Sequence, residues 1–128
     1  MFIDLIFYSG LSLLLTHELD AIKQHEWRIF PGLSNFKESL SYHLFVALHL
    51  PLFILILWLL CHPSEHVRFW FQLSVDGFLI IHLGLHHFFK SHDKYEFTKP
   101  FSKIIINLMA LVGLIHVILL FTNKTAQP

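Results

Sequence analysis

The chain has 128 residues, enough for one domain, and is 55% hydrophobic and 14% charged with a mean hydropathy of +0.60; an ordinary soluble domain is about 45–50% apolar and about 25% charged. Nine basic residues balance nine acidic ones, so there is no positive field to draw a nucleic acid. The single cysteine, Cys61, excludes an internal disulfide, a redox pair and a thiolate cage, while 11 histidines supply the commonest metal-binding side chain.

Four apolar stretches follow in chain order, over residues 2–22, 40–60, 69–89 and 101–121. Each is close to the roughly 20 residues that a hydrocarbon core of about 30 Å requires. The prediction is an all-α integral membrane protein, a four-transmembrane-helix bundle with short loops, in one domain over residues 1–128. The first stretch lacks a basic leading segment and a small-residue cleavage site, so it reads as a mature helix and not as a signal peptide. To span, it must carry His17, Glu18 and Asp20 into the membrane. The loop after it holds Pro31-Gly32, a turn signal, with Trp27, Phe30 and Phe36 suited to the membrane interface. Pro51 is expected to kink the second helix and to free a carbonyl one turn earlier. Trp58 and Trp70 read as interfacial anchors, and Gly10, Gly77, Gly84 and Gly113 as points of close helix packing. Asp76, near mid-span of the third helix, calls for a partner such as His116 or Ser74.

Topology follows from the cations. Loops one and three with their helix ends hold Lys23, Arg28, Lys37, Lys90, Lys94, Lys99 and Lys103, against only Arg68 and Lys124 on the other side. The expected arrangement is therefore multi-pass, with loops one and three cytoplasmic and both termini outside.

That topology, with the helical rise of about 1.5 Å, brings polar groups from three helices to one depth. His17 and Asp20 share a face of the first helix, and His82 and His86 are spaced i,i+4 on the third, the spacing by which one helix offers two ligands to one metal. On the second helix His43 and His49 lie about 120° apart, so only one faces inward; His49 matches His82 in depth and is favoured, with His43 its rival. Ionisable groups inside a membrane are costly and face the bundle interior or water. The expected ligands are His17, His49, His82 and His86, with Glu18 and Asp20 as acid/base groups. Nitrogen ligands with a carboxylate and no thiolate suit Zn or non-haem Fe.

The run THELDAIKQHEWR, residues 16–28, resembles a motif of small bacterial four-helix membrane proteins of uncharacterised function, related to the group named for a His-x-x-Glu-Glu signature. Here Asp20 stands for the first Glu and Ala21 replaces the second; HEWR (residues 25–28) and HLGLHHF (residues 82–88) fit the same family. The resemblance implies a four-helix fold and a bacterial inner-membrane location, and it implies no reaction. A more distant likeness is to four-helix sterol-isomerase-type membrane proteins, which place His and Glu in an intramembrane pocket.

The function expected on these grounds is a metal-dependent enzyme acting on an apolar or lipid-like substrate in the cytoplasmic half of the bilayer. Its partners are membrane lipid, a small apolar molecule and further copies of itself. The alternatives are a haem b electron carrier with axial His49 and His82, a metal-free lipid isomerase, and a structural or accessory subunit.

Overall fold

The computed structural model describes residues 2–125 and is helical throughout, with no strand among them. The helices are α1 (Phe2–Lys23), α2 (Glu38–Leu60), α3 (Glu65–Phe89) and α4 (Pro100–Thr125), with one 3-10 turn at Glu26–Arg28 between α1 and α2. Residues 1 and 126–128 and the side chain of Lys124, which bear on the expected orientation of the termini, lie outside the described residues. The predicted helices are all present. The largest differences are four residues each, at the end of α4, which runs on to Thr125, and at the start of α3, where the polar turn Glu65–Arg68 joins the helix behind Ser64; hydropathy alone does not see a helical turn that is polar.

α4 is the central element and packs along both α1 and α3. Its sequence explains why: Ser102, Ile105, Ile106, Met109, Ala110, Gly113 and His116 recur at intervals of three and four and form one buried stripe. Facing it are Phe7, Gly10, Leu11 and Leu14 of α1 and Phe71, Val75 and Leu79 of α3. Asp76 meets His116 across the α3–α4 seam, its Oδ2 accepting from Nδ1 at 2.6 Å with both side chains buried. Ser74 instead donates to the Trp70 carbonyl.

α2 is different. It buries only Ser41 and Phe45, touches α3 and the 3-10 turn, and among the described residues has no close backbone approach to α1. It is nonetheless apolar on all sides, with Leu50, Ile54, Leu57 and Trp58 each at least 60% exposed. A helix apolar all round and uncovered by protein among the described residues has the character of a membrane span. Among the described residues α1, α2 and α4 are long and apolar enough to cross a membrane. α3 has 25 residues, ample length, and its lower hydropathy comes from Asp76, His82 and His86, which it turns inward, and from Glu65, His66, Arg68 and His87, which it does not.

Of the four glycines expected at close contacts, two are used. A Cβ on Gly113 would stand 3.2 Å from the Asp76 carbonyl oxygen and 3.2 Å from Leu79 Cβ, and one on Gly10 would stand 3.1 Å from Leu79 Cδ1. Gly77 and Gly84 have nothing within 4 Å. Gly113→Val must force α4 off α3 against a backbone atom that cannot move aside, and it is expected to lose about 1–3 kcal/mol. Gly77→Ala should hold or gain up to about 1 kcal/mol through helix propensity. Thermal unfolding in mild detergent checks both, and equal midpoints for the two variants would contradict the packing.

Candidate metal centre

The site begins where α1 ends. The last turn closes with Gln24 N–H donating to the Asp20 carbonyl and His25 N–H to that of Ile22. His25 then takes the left-handed conformation, φ 53°, which is uncommon outside glycine but more frequent for His than for most side chains. This reverses the chain and sends the 3-10 turn back under the bundle. Each residue of the turn is held. His25 Nδ1 donates to Glu96 Oε2 at 2.9 Å, Arg28 Nη1 to Glu96 Oε1 at 2.6 Å, and Arg28 Nε and Trp27 Nε1 both to Glu38 Oε1 at 3.0 Å. Trp27 is buried against Phe45. With its neighbours clasped in this way to α2 and to the α3–α4 loop, Glu26 points into the bundle.

There it meets three histidines. The Nε2 atoms of His17, His82 and His86 form a triangle with sides of 2.8, 3.1 and 3.4 Å. Glu26 Oε2 lies 3.8 Å from His17 Nε2, and Oε1 lies 4.0 Å from His86 Nε2. One ligand atom from each of the four side chains falls within 4.8 Å of all the others. His17 comes from α1, and the i,i+4 pair comes from one face of α3. Phe97, fully buried in the α3–α4 loop, packs its ring on His17 and His86 and closes the site from that side. Tyr95 Oη bonds to His86 Nδ1 at 3.2 Å. The Nδ1 atoms of His17 and His82 have no partner.

Three neutral imidazoles cannot satisfy one another in this arrangement. Each ring carries a single N–H, and each unprotonated nitrogen offers a single lone pair. Among three Nε2 atoms in mutual contact, one N–H···N bond forms and the third nitrogen is left over, in a setting where buried polar atoms are ordinarily paired. A cation takes all three lone pairs at once. Zn–N bonds of about 2.0–2.1 Å at tetrahedral angles set N···N separations of about 3.3–3.4 Å. The longest side of the triangle already has that value, and the sides of 3.1 and 2.8 Å need to open by about 0.3 and about 0.6 Å. Glu26 would supply a fourth, anionic ligand. Burial, chiefly, with the negative charges of Glu18 and Asp20, raises its carboxyl above the ordinary range.

The remaining expected residues are close by but differently engaged. His49, and not His43, turns toward the bundle; it pairs with Glu18 across the α1–α2 gap, Nε2 to Oε2 at 2.8 Å, and stands apart from the three-histidine group. His49 Nδ1 also bonds to the Phe45 carbonyl at 2.7 Å. That oxygen can only accept, so Nδ1 carries a proton and a second proton is shared between Nε2 and the Glu18 carboxylate. Asp20 is buried, with Oδ1 accepting from Gln24 Nε2 at 3.0 Å and Oδ2 unpartnered. Glu26 was not among the expected site residues. The signals for it were the apolar residues around it, Trp27, Ile29 and Phe30, which mark a loop lying on the bundle, and the HEWR motif itself.

Both groups open into one cavity of about 770 Å³ between α1, α2 and α3. Glu18, Glu26, His49, His82 and His86 cluster at its cytoplasmic-loop end, above Ile29 and Pro31; toward the other end the walls are Leu52, Ile56 and Leu59 of α2 and Phe71, Val75 and Phe78 of α3, with Ser74 their one polar neighbour.

The model of a family of unknown function, DUF6713, matches residues 3–123, and the chain belongs to that family. No curated protein and no solved structure matches the chain.

Proposed function

We propose that this family member is a multi-pass protein of the bacterial inner membrane that binds a divalent metal, Zn or Fe, through His17, His82, His86 and Glu26, and that it transforms an apolar, lipid-like substrate. The observation that carries this reading is the convergence of three buried Nε2 atoms and one carboxylate at the end of an apolar cavity. A bound metal there supplies Lewis acidity and a water activated near neutral pH, or oxygen chemistry if it is iron. The chain's own residues do the rest. The Glu18–His49 pair holds a shared proton at the cavity wall and serves as the acid/base. Asp20, through its charge, helps to keep the Glu26 carboxyl basic enough to bind a cation tightly. Apolar walls exclude water and admit a substrate from lipid.

A second reading, metal-free acid/base isomerisation of a lipid, draws on the same Glu18–His49 pair. Elemental analysis and an ultraviolet-visible spectrum of protein purified in nanodiscs separate the readings. One Zn or Fe per chain without a Soret band is expected. A Soret band would replace this reading with haem binding through His49 and His82, and neither metal nor haem would leave the isomerase or a structural subunit. Four passes with loops one and three cytoplasmic follow from the cation distribution; a reporter fused at Gly32 should be active only as a cytoplasmic fusion and one at Glu65 only as an external one, and the reverse pattern would invert the topology.

A further inference from the structure

The cavity has features that specify what it takes. Its polar groups lie at one end only, and it runs along α3 from His86 to Phe71. Fifteen residues of helix make this about 22 Å. Carbon–carbon bonds of about 1.5 Å at tetrahedral angles advance about 1.25 Å per carbon; about 3 Å of this length goes to the hydrogen-bonded head, and the remaining length of roughly 19 Å seats a chain of about 16 carbons. Volume separates one chain from two. A methylene fills roughly the 30 Å³ of a water molecule, so one such chain needs about 500 Å³, and two chains on a glycerophosphate need well over 1,000 Å³. The cavity has about 770 Å³.

Charge decides the head. No Lys or Arg lines the cavity, so the one cation that a phosphate, sulfate or carboxylate head would meet is the metal proposed above, which Glu26 would already hold as an anionic ligand with Glu18 close by. The Glu18–His49 hydrogen bond stands at the cavity wall, and the pair has a donor and an acceptor to offer an uncharged oxygen. Access is lateral. The α1 and α2 backbones stay apart among the described residues, the Glu18–His49 hydrogen bond crosses between them, and exposed Leu15 and Leu52 form apolar rims.

We infer that the ligand of this site is a single-chain lipid of about 16 carbons with an uncharged oxygen head, a long-chain alcohol or aldehyde. It lies with its tail between α2 and α3 and its head between Glu18–His49 and the three histidines. The chemistry at the head rests on the function proposed above; the seat for the tail is a property of the cavity alone.

The test uses the full chain in phospholipid nanodiscs, with tritiated hexadecanol as probe and empty nanodiscs as the partition control. Two-chain lipid is then present in excess throughout. Saturable binding near one per chain is expected, displaced by unlabelled hexadecanol at least about tenfold better than by hexadecanoate or octanol. Ile56 lies seven residues beyond His49, so Ile56→Trp closes the cavity about 10 Å from the head; it should reverse the preference in favour of octanol. Leu59→Ala opens the far end and should move the preference toward octadecanol. Absence of saturable binding, equal displacement by hexadecanoate, or an unchanged chain-length preference in both variants would overturn the inference. Metal content is measured on the same samples. Bound metal without hexadecanol binding defeats this inference alone, and chain-length-selective binding without metal defeats the metalloenzyme reading alone.

Discussion

His82→Ala loses bound metal by more than about 100-fold, since loss of a group that merely orients a ligand already costs about 10–100-fold. His17→Ala and His86→Ala do the same. His82 is the strictest case because its Nε2 is within 3.1 Å of both other ring nitrogens, so no remaining pair encloses the ion from the same side. The controls are His62→Ala and His92→Ala. His62 accepts from the Ser64 N–H in the α2–α3 turn at the opposite end of the bundle, and His92 pairs with Asp93 in the loop after α3; both should keep the full metal content. Unfolding is a separate outcome and is read separately. Truncating a buried histidine leaves a void and unpaired neighbours, which costs about 1–3 kcal/mol in any protein, so thermal midpoints are recorded beside the metal content. If His82→Ala folds and carries as much metal as the controls, the histidine triangle is only interhelical glue.

The sequence made the helices legible because each is a run of apolar residues about as long as a bilayer is thick, and such runs depend on no partner. The i,i+4 pair on α3 and the face shared by His17 and Asp20 were legible for the same reason, since helical spacing is local. Packing was less so. Gly10 and Gly113 meet another helix and Gly77 and Gly84 do not, and nothing within each helix distinguishes them. His49 does face inward, yet α2 stands away from α1, so its ring reaches Glu18 and stops there. Glu26 was hidden for a different reason. It sits on a segment with no period, and its direction is set by one left-handed residue, His25, and by bonds from its neighbours to Glu38 and Glu96. Those partners lie 11 and 71 residues away from the side chains they bind, a relation that no local pattern contains.

Glu26→Gln is the sharper test of the site because the three nearby carboxylates should separate. The substitution keeps the shape and removes the anionic ligand, so metal affinity should fall at least about tenfold. It should also change the pH dependence. In the folded protein the Glu26 carboxyl is raised by burial and by Glu18 and Asp20, so it keeps its proton well above the ordinary carboxylate range, and the metal must displace that proton. Wild-type affinity therefore rises with pH through the raised range. Glutamine has no proton to lose, and the variant's curve should be flatter there. Without metal the sign reverses for stability. A raised carboxyl favours the folded state while protonated, so the metal-free wild type loses stability as pH climbs above the ordinary carboxylate value, and Glu26→Gln should abolish that loss. Glu18→Gln behaves differently. It leaves the four ligands in place and removes the carboxylate bonded to His49, so saturated metal content should match wild type, with a small loss of affinity because the Glu18 charge also raises Glu26, while turnover falls by about 100-fold or more. Asp20→Asn acts at one remove, with a smaller loss of affinity than Glu26→Gln. Isothermal titration with zinc across pH measures all three. If Glu26→Gln reproduces both the wild-type affinity and the wild-type slope, the turn that carries Glu26 under the bundle serves the fold and not the metal.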